Sequence, residues 1–131
     1  VCYAPRMAAK TPEECDTLFE RHMNAGDLDA LANLYETDAV LVPNPGELVA
    51  GREAIREALG AFVAAKVQLH LRVSQVLRAG DDLAMLYGDW SGHFTDPDGA
   101  RVEIAGQSVE VVRRQADGTW RFALDDPYGR G

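Results

Sequence analysis

The sequence predicts an α+β fold in which three N-terminal helices pack on a cone-shaped, curved antiparallel sheet. Two observations predict it. Apolar residues recur at helical spacing as far as about residue 65, and from Val67 onward the period changes to two, which is typical of half-buried strands. With 131 residues, we expect one domain over residues 11–131, after a disordered tail or vector-derived remnant of residues 1–10.

Helix signals in the first half are specific. Thr11-Pro12-Glu13-Glu14 combines an N-cap, a first-turn proline and the glutamate of a capping box. Asp27 caps a short second helix that is predicted to extend to Tyr35. A strand at residues 39–42 should follow, and a third helix should run over about residues 52–65.

Charge and cysteine content narrow the possible partners and compartment. The net charge of -8 disfavours binding to nucleic acid or to an anionic membrane surface. No apolar stretch is long enough to span a membrane, and residues 1–10 show no signal peptide. Cys2 and Cys15 are expected to be free thiols in a reducing compartment, so a cytoplasmic protein is expected.

A predicted hairpin indicates where a cavity could lie. A turn at residues 80–81 would put Gly88, Trp90 and Gly92 on the core-facing side of the second strand. The two glycines favour an apolar ligand pocket floored by Trp90. They also suit bulges that bend the sheet, and the two interpretations are compatible.

The other face of this hairpin is predicted to be external. Asp89 lies opposite Arg72, and His70 and His93 share that face. A cross-strand ion pair and surface or dimer-interface histidines are therefore expected there, rather than catalytic groups.

The last strand suggests a catalytic carboxylate. Strict alternation places Trp120, Phe122, Leu124 and Asp126 inside and leaves Asp125 in solvent. An inward Asp126 at the end of an apolar row would act as a general acid or base. Alternatively, its side chain caps backbone amides in the turn that follows, and both interpretations stay open.

The preceding strand has two possible registers. A three-residue loop with a glycine bulge at Gly118 places Ser108 opposite Asp126 and turns Glu110 into the interior, near Asp126. A two-residue turn would turn the opposite face inward instead. The first register is favoured slightly, and it makes Glu110 and Asp126 a pair of catalytic candidates with separated pKa values.

The motif order resembles the nuclear transport factor two-like superfamily, which includes ketosteroid isomerases and SnoaL-like polyketide cyclases. The residues that carry the resemblance are Asn24-Ala25-Gly26-Asp27, Asp38-Ala39-Val40, Gly51-Arg52-Glu53-Ala54-Ile55 and Asp125-Asp126-Pro127. The resemblance implies a cone with an apolar pocket, a homodimer through the outer sheet face, and no metal or organic cofactor.

Within this superfamily, the isomerase tyrosine falls on Phe19 and the isomerase base on Pro43, so the sequence is closer to the SnoaL-like branch. That branch implies a cofactor-independent isomerase, cyclase or epoxide hydrolase acting on a small apolar substrate. A non-catalytic dimeric binder of a hydrophobic metabolite remains an alternative, as does a dimerising scaffold with a vestigial pocket. The expected ligand contacts are Trp90, Tyr35, Asn44, Ser108 and Phe19.

Overall fold

The computed structural model describes residues 8–130. Within this range the chain forms α1 (Pro12–Ala25), α2 (Leu28–Ala32), β1 (Tyr35–Leu41), β2 (Val49–Ala50), α3 (Arg52–Ala64), β3 (Gln68–Ala79), β4 (Leu83–Thr95), β5 (Arg101–Arg114) and β6 (Trp120–Asp126). The predicted α+β class, with three helices on a curved sheet, is confirmed. Cys2 lies outside the described residues, so its predicted free thiol stays a prediction.

The six strands form one sheet in the order β2-β1-β6-β5-β4-β3. Every neighbouring pair is antiparallel except β1 and β6, which run parallel. Neither this parallel pair nor the two-residue strand β2 was predicted from the sequence. The predicted second helix included Tyr35, which is instead the first residue of β1.

The segment before α1 packs on the sheet. The backbone N–H of Trp120 donates to the carbonyl oxygen of Ala9 at 2.8 Å, and Ala9 is fully buried. The predicted tail of residues 1–10 therefore ends in residues that contact β6, while residues 1–7 lie outside the described range.

The β3–β4 hairpin has the predicted register. Leu71 pairs with Trp90 and Val73 with Gly88, and a bulge follows directly after Val73. On the outer face Arg72 donates to Asp89 at 2.8 Å, as expected for a cross-strand ion pair. The side chain of Trp90 consequently lies on the concave side of the sheet.

The predicted register of the β5–β6 hairpin is correct at the turn and wrong beyond Phe122. Gln115 and Thr119 close a three-residue loop in which Gly118 has a φ of 86°, as predicted. A bulge at Ala123 then follows, because Val112 pairs with Phe122 but Val111 pairs with Leu124. One extra residue reverses the alternation of every later side chain.

The core lies between the helices and the concave face of the sheet. Its largest fully buried side chains include Tyr35, Phe122, Leu31, Ile55 and Leu86. Phe122 packs against the rings of both Tyr35 and Phe19, with centroid separations of 5.0 and 6.2 Å. Among the described residues, no helix is long and apolar enough to cross a membrane.

The bulge can be tested by comparing two side chains that strict alternation would treat alike. Phe122 is 1% exposed and Leu124 is 50% exposed. We expect Phe122→Ala to lower the free energy of unfolding by about 3–5 kcal/mol, because it opens a core cavity. Leu124→Ala should change it by about 0.5 kcal/mol or less. Urea unfolding of both variants measures the difference, and equal losses would contradict the bulge.

Candidate active site

An apolar cavity of about 90 Å³ opens between α1, α3 and the concave face of the sheet. Aromatic and aliphatic side chains form most of its wall, and three carboxyl side chains complete it. The lining residues are Asp16, Phe19, Met23, Leu41, Pro43, Leu59, Phe62, Val67, Leu69, Leu71, Trp90, Ile104, Ser108, Glu110, Asp125, Pro127 and Tyr128. Such a wall combines apolar surface with a few convergent polar groups, which is typical of small-molecule sites.

Three different elements supply the carboxyl groups. Asp16 comes from the first turns of α1, Glu110 from the inner face of β5, and Asp125 from the end of β6. Their exposed fractions are only 3%, 2% and 7%. Ser108 Oγ and Asp16 Oδ2 meet over Gly88, where an added Cβ would lie 2.7 Å and 3.4 Å from them. Gly88 therefore allows β4 to approach this cluster closely.

Most polar atoms of the cluster have no hydrogen-bond donor. Asp16 Oδ2, both carboxyl oxygens of Glu110 and Ser108 Oγ are buried without a well-formed partner. The carboxyl groups of Asp16 and Glu110 contact each other, and Ser108 lies beside Glu110. Two carboxyl groups form a hydrogen bond only when one of them is protonated. The pair is therefore expected to share a proton.

Burial and mutual repulsion favour the neutral forms of these carboxyl groups, most strongly that of Glu110. Burial, followed by the charges of Asp16 and Asp125, raises the pKa of Glu110 well above its usual value. Burial also raises the pKa of Asp16, although the contact with Glu110 acts in the opposite direction. Glu110 is accordingly the proton donor of this pair and Asp16 the acceptor.

Asp125 is held separately by Tyr35. The Tyr35 hydroxyl donates to Asp125 Oδ2 at 2.5 Å, and the Tyr35 ring is fully buried behind it. Burial raises the pKa of Asp125 to about 7, while the Tyr35 hydrogen bond limits that rise. Burial and the negative charge of Asp125 raise the pKa of Tyr35 itself, so it stays a neutral donor. Asp125 can therefore give or take a proton near neutral pH.

Of the seven predicted site residues, four line the cavity: Phe19, Trp90, Ser108 and Glu110. The predicted inward orientation of Asp126 is wrong, because the bulge at Ala123 turns Asp125 inward instead. Asp126 Oδ1 accepts the backbone N–H of Tyr128 at 3.1 Å. Its side chain thus caps the turn after β6, which was the alternative that the sequence left open.

Two other predicted ligand contacts are also wrong in position. Asn44 is exposed in the turn after β1 and does not line the cavity. Tyr35 lies behind Asp125 with no exposed surface, so its role is to hold that carboxyl group. Whether the four lining residues contact a ligand stays a prediction.

Trp90 forms a wall with the segment that follows β6. Its indole N–H donates to the carbonyl oxygen of Pro127 at 2.7 Å, and its ring meets Tyr128 edge-on at 5.7 Å. A Cβ on Gly106 would lie 2.7 Å from the indole nitrogen, so the ring lies directly over that glycine. The glycines of β4 and β5 thus permit close packing rather than leaving empty volume.

Asp16 was not among the predicted site residues, and strict alternation placed Asp125 in solvent. Pro12, Asp16, Phe19 and Met23 follow helical spacing, so an acidic residue on the apolar face of α1 was a detectable signal. The sequence carries no clear signal for Asp125, because nothing in the residues around Ala123 predicts a bulge there. Among residues 8–130, no three His, Cys, Asp or Glu side chains are arranged to hold a metal ion.

Three helices packed on one curved, six-stranded sheet form the α+β fold of the nuclear transport factor two-like superfamily. The family profile of the SnoaL-like domain matches residues 16–123, and the chain belongs to that family. No curated protein matches the sequence significantly.

Solved structures share the fold at low sequence identity. A ketosteroid isomerase-like protein from Erwinia carotovora is 22% identical, with a TM-score of 0.77 and coverage of 87% of this chain and 89% of that chain. A proposed scytalone dehydratase from Novosphingobium aromaticivorans is 18% identical (TM-score 0.77; 87% and 78%). A proposed calcium/calmodulin-dependent kinase II association domain from Xanthomonas campestris is 24% identical (TM-score 0.74; 88% and 84%). These similarities establish the fold alone.

The raised pKa of Asp125 predicts that stability falls with rising pH. An unfolded aspartate loses its proton near pH 4, whereas folded Asp125 keeps its proton up to about pH 7. The folded state therefore binds more protons between these values, and the free energy of unfolding decreases from pH 4 to pH 7. Asp125 alone accounts for at most about 4 kcal/mol of that decrease.

Urea unfolding at pH 5 and pH 8 measures this dependence. Asp125→Asn should remove the share that belongs to Asp125, leaving the part that comes from Asp16 and Glu110. Asp126→Asn, at the neighbouring half-buried position outside the cavity, should retain most of the wild-type difference. Stability that rises from pH 5 to pH 8 would contradict the assignment.

Proposed function

We propose that this protein is a cofactor-independent acid–base enzyme that acts on a small substrate with an apolar body, bound in the cavity described above. One observation carries the proposal. Glu110 and Asp16 are almost fully buried and both line the cavity, and Asp16 Oδ2 and both Glu110 carboxyl oxygens have no well-formed hydrogen-bond partner.

This arrangement is unfavourable for folding, which supports a functional role. Burying a carboxyl group without a hydrogen-bond donor costs about 1–3 kcal/mol even when the group is neutral. Apolar residues of similar volume would stabilise the same position. Titratable groups with strongly shifted pKa values in a cleft are candidates for acid–base chemistry.

The cluster offers an acid and a base at once. Glu110 is the neutral acid, and Asp125, oriented by the Tyr35 hydroxyl, is the base. In the opening of an epoxide, Glu110 would donate a proton to the ring oxygen while Asp125 takes a proton from the attacking water. The epoxide C–O bond breaks, a C–O bond to water forms, and the product is a diol.

The relatives support proton-transfer chemistry as a class. Two of the similar folds carry names that refer to an isomerase and a dehydratase. The isomerase residues themselves are replaced here by Phe19 and Pro43, both of which line the cavity. The acid–base groups we propose therefore stand at other positions of the same scaffold.

Turnover can be tested with two compact probes that contain a five-membered ring. Cyclopentene oxide reports epoxide opening, and 3-cyclopentenone reports proton transfer from C2 to C4, which yields the conjugated 2-cyclopentenone. We expect Asp125→Asn and Glu110→Gln to lower the rate of any turnover by about 100-fold or more, because each removes one proton-transfer group. Diol formation and the ultraviolet absorbance of the conjugated ketone measure the two reactions.

Matched controls separate chemistry from charge. The controls are Glu103→Gln and Asp126→Asn. Glu103 lies on the outer face of β5, and Asp126 lies beside Asp125 but outside the cavity. Both should keep the wild-type rate. Unchanged turnover in Asp125→Asn and Glu110→Gln would contradict the proposal.

A non-catalytic binder is the second candidate, and the apolar replacements Phe19 and Pro43 favour it. Binding without turnover of either probe would support this candidate. Both candidates place a homodimer interface on the outer sheet face, where Leu77 and Leu124 are exposed. That interface and the apolar ligand remain proposals.

Both candidates require Trp90 as a cavity wall. We expect Trp90→Ala to weaken binding of cyclopentanone by about tenfold or more, because the largest apolar surface at the site is lost. Ligand-observed NMR measures this affinity. Trp120→Phe, at a buried tryptophan outside the cavity, should bind cyclopentanone as the wild type does. Unchanged affinity in Trp90→Ala would overturn the pocket assignment.

A further inference from the structure

We infer that the substrate of this site carries an amine, which binds as an ammonium ion to the carboxyl groups of Asp16 and Glu110. This inference rests on the proposed function and specifies its substrate class: a compact apolar body with a cationic nitrogen. It begins from the polar atoms that the fold leaves without partners.

The unpartnered oxygens match an ammonium group in number and kind. Asp16 Oδ2 and the two carboxyl oxygens of Glu110 are buried without a well-formed partner, and the proton that the two groups share is the one donor between them. An alkylammonium carries three N–H donors and no acceptor, whereas a hydroxyl carries one donor. Only the ammonium can supply a donor to each oxygen, and hydrogen bonds between ionised partners are the stronger kind.

The rest of the cavity excludes anions. None of the described residues that line it is Lys, Arg or His, so nothing there would neutralise a carboxylate or a phosphate. The net charge of -8 also favours cations over anions as they approach from solvent, because it attracts the first and repels the second. The cavity lining and the net charge of the protein therefore both favour a positively charged ligand.

The remaining carboxyl group stays available for catalysis. Asp125 Oδ2 already accepts a hydrogen bond from Tyr35, and Asp125 sits on a different strand from Glu110. With an amine bound, Asp16 and Glu110 would hold the charged nitrogen, so Glu110 acts as the acid only toward uncharged substrates and Asp125 moves the protons. The apolar wall formed by Phe19, Trp90 and Tyr128 would surround the carbon skeleton.

Binding of an ammonium should release protons from the cluster. The titratable groups around Glu110 are Asp16 and Cys15 on α1, Tyr35 on β1 and Asp125 on β6. Cys15 and Tyr35 keep their protons, because burial and the neighbouring carboxylates raise both pKa values. The proton shared by Asp16 and Glu110 is the one that a cation displaces.

Three ligands with one ring test the inference: cyclopentylamine, cyclopentanol and cyclopentanecarboxylate. The full chain is titrated with each at pH 7, and the indole N–H signal of Trp90 is followed by NMR. We expect cyclopentylamine to bind about tenfold or more tightly than cyclopentanol, and the carboxylate to bind more weakly still. Calorimetry in buffers of different ionisation enthalpy should show proton release for the amine alone.

Substitutions then test which carboxyl groups bind the ammonium. Glu110→Gln and Asp16→Asn should each weaken amine binding by about tenfold and leave cyclopentanol binding within about threefold. Glu103→Gln, on the outer face of β5, should change neither affinity. Variants are compared only after their unfolding transitions show that they are folded, and the two substitutions provide independent tests.

Each outcome decides the inference. It is overturned if cyclopentanol or the carboxylate binds as tightly as the amine, if none of the three ligands binds, or if both variants retain amine affinity. The result is separable from the proposed function, which is judged by turnover of the two uncharged ring probes. An enzyme that opens the epoxide without preferring amines would retain its acid–base chemistry and lose only this substrate class.

Discussion

One extra residue in β6 determines which carboxyl group enters the cavity. Strand β6 begins with inward Trp120 and Phe122, and both β-sheet faces would continue in strict alternation without the bulge at Ala123. With the bulge, the core ring of Phe122 and the carboxyl group of Asp125 both face inward, while Leu124 and Asp126 face away. The hydrophobic core and the acidic cluster therefore depend on the same irregularity.

The acidic cluster is organised by differences in hydrogen bonding. Three carboxyl groups in one apolar setting would repel one another if all were ionised. Tyr35 gives Asp125 a fixed donor, whereas Asp16 and Glu110 have only each other and a proton. These unequal surroundings assign unequal roles to chemically similar groups, which is the usual way that proteins obtain an acid and a base from carboxyl groups. Tyr35 thus orients Asp125 although it does not line the cavity.

The sequence was sufficient for the fold and for part of the site. The caps of α1 and α2 and the turns after Ala79 and Gln115 are local signals that agree with the structure, and so do the helical and strand periods, except at Tyr35 and beyond Phe122. The inward orientation of Ser108 and Glu110 was predicted correctly from the Gly118 turn, but the bulge pairs Val109 with Asp126 where Ser108 was expected. The inward orientation of Asp125 was not predicted, since a bulge is decided by packing between strands rather than by the residues of one strand. The role of Tyr35 was not predicted for a related reason, because its hydrogen-bond partner Asp125 lies 90 positions away in the sequence.

The segment after β6 gives the cavity a wall that lies beyond the paired residues of that strand. Pro127 and Tyr128 line the cavity, the Trp90 indole donates to Pro127, and Arg130 donates to the carbonyl oxygens of Gly88 and Ser108. The segment contributes side chains to the cavity but no ladder pairing within β6. Substitutions there can reshape the binding surface while the strands keep their register. Part of the cavity wall and the register of the sheet are thus encoded in separable stretches of this chain.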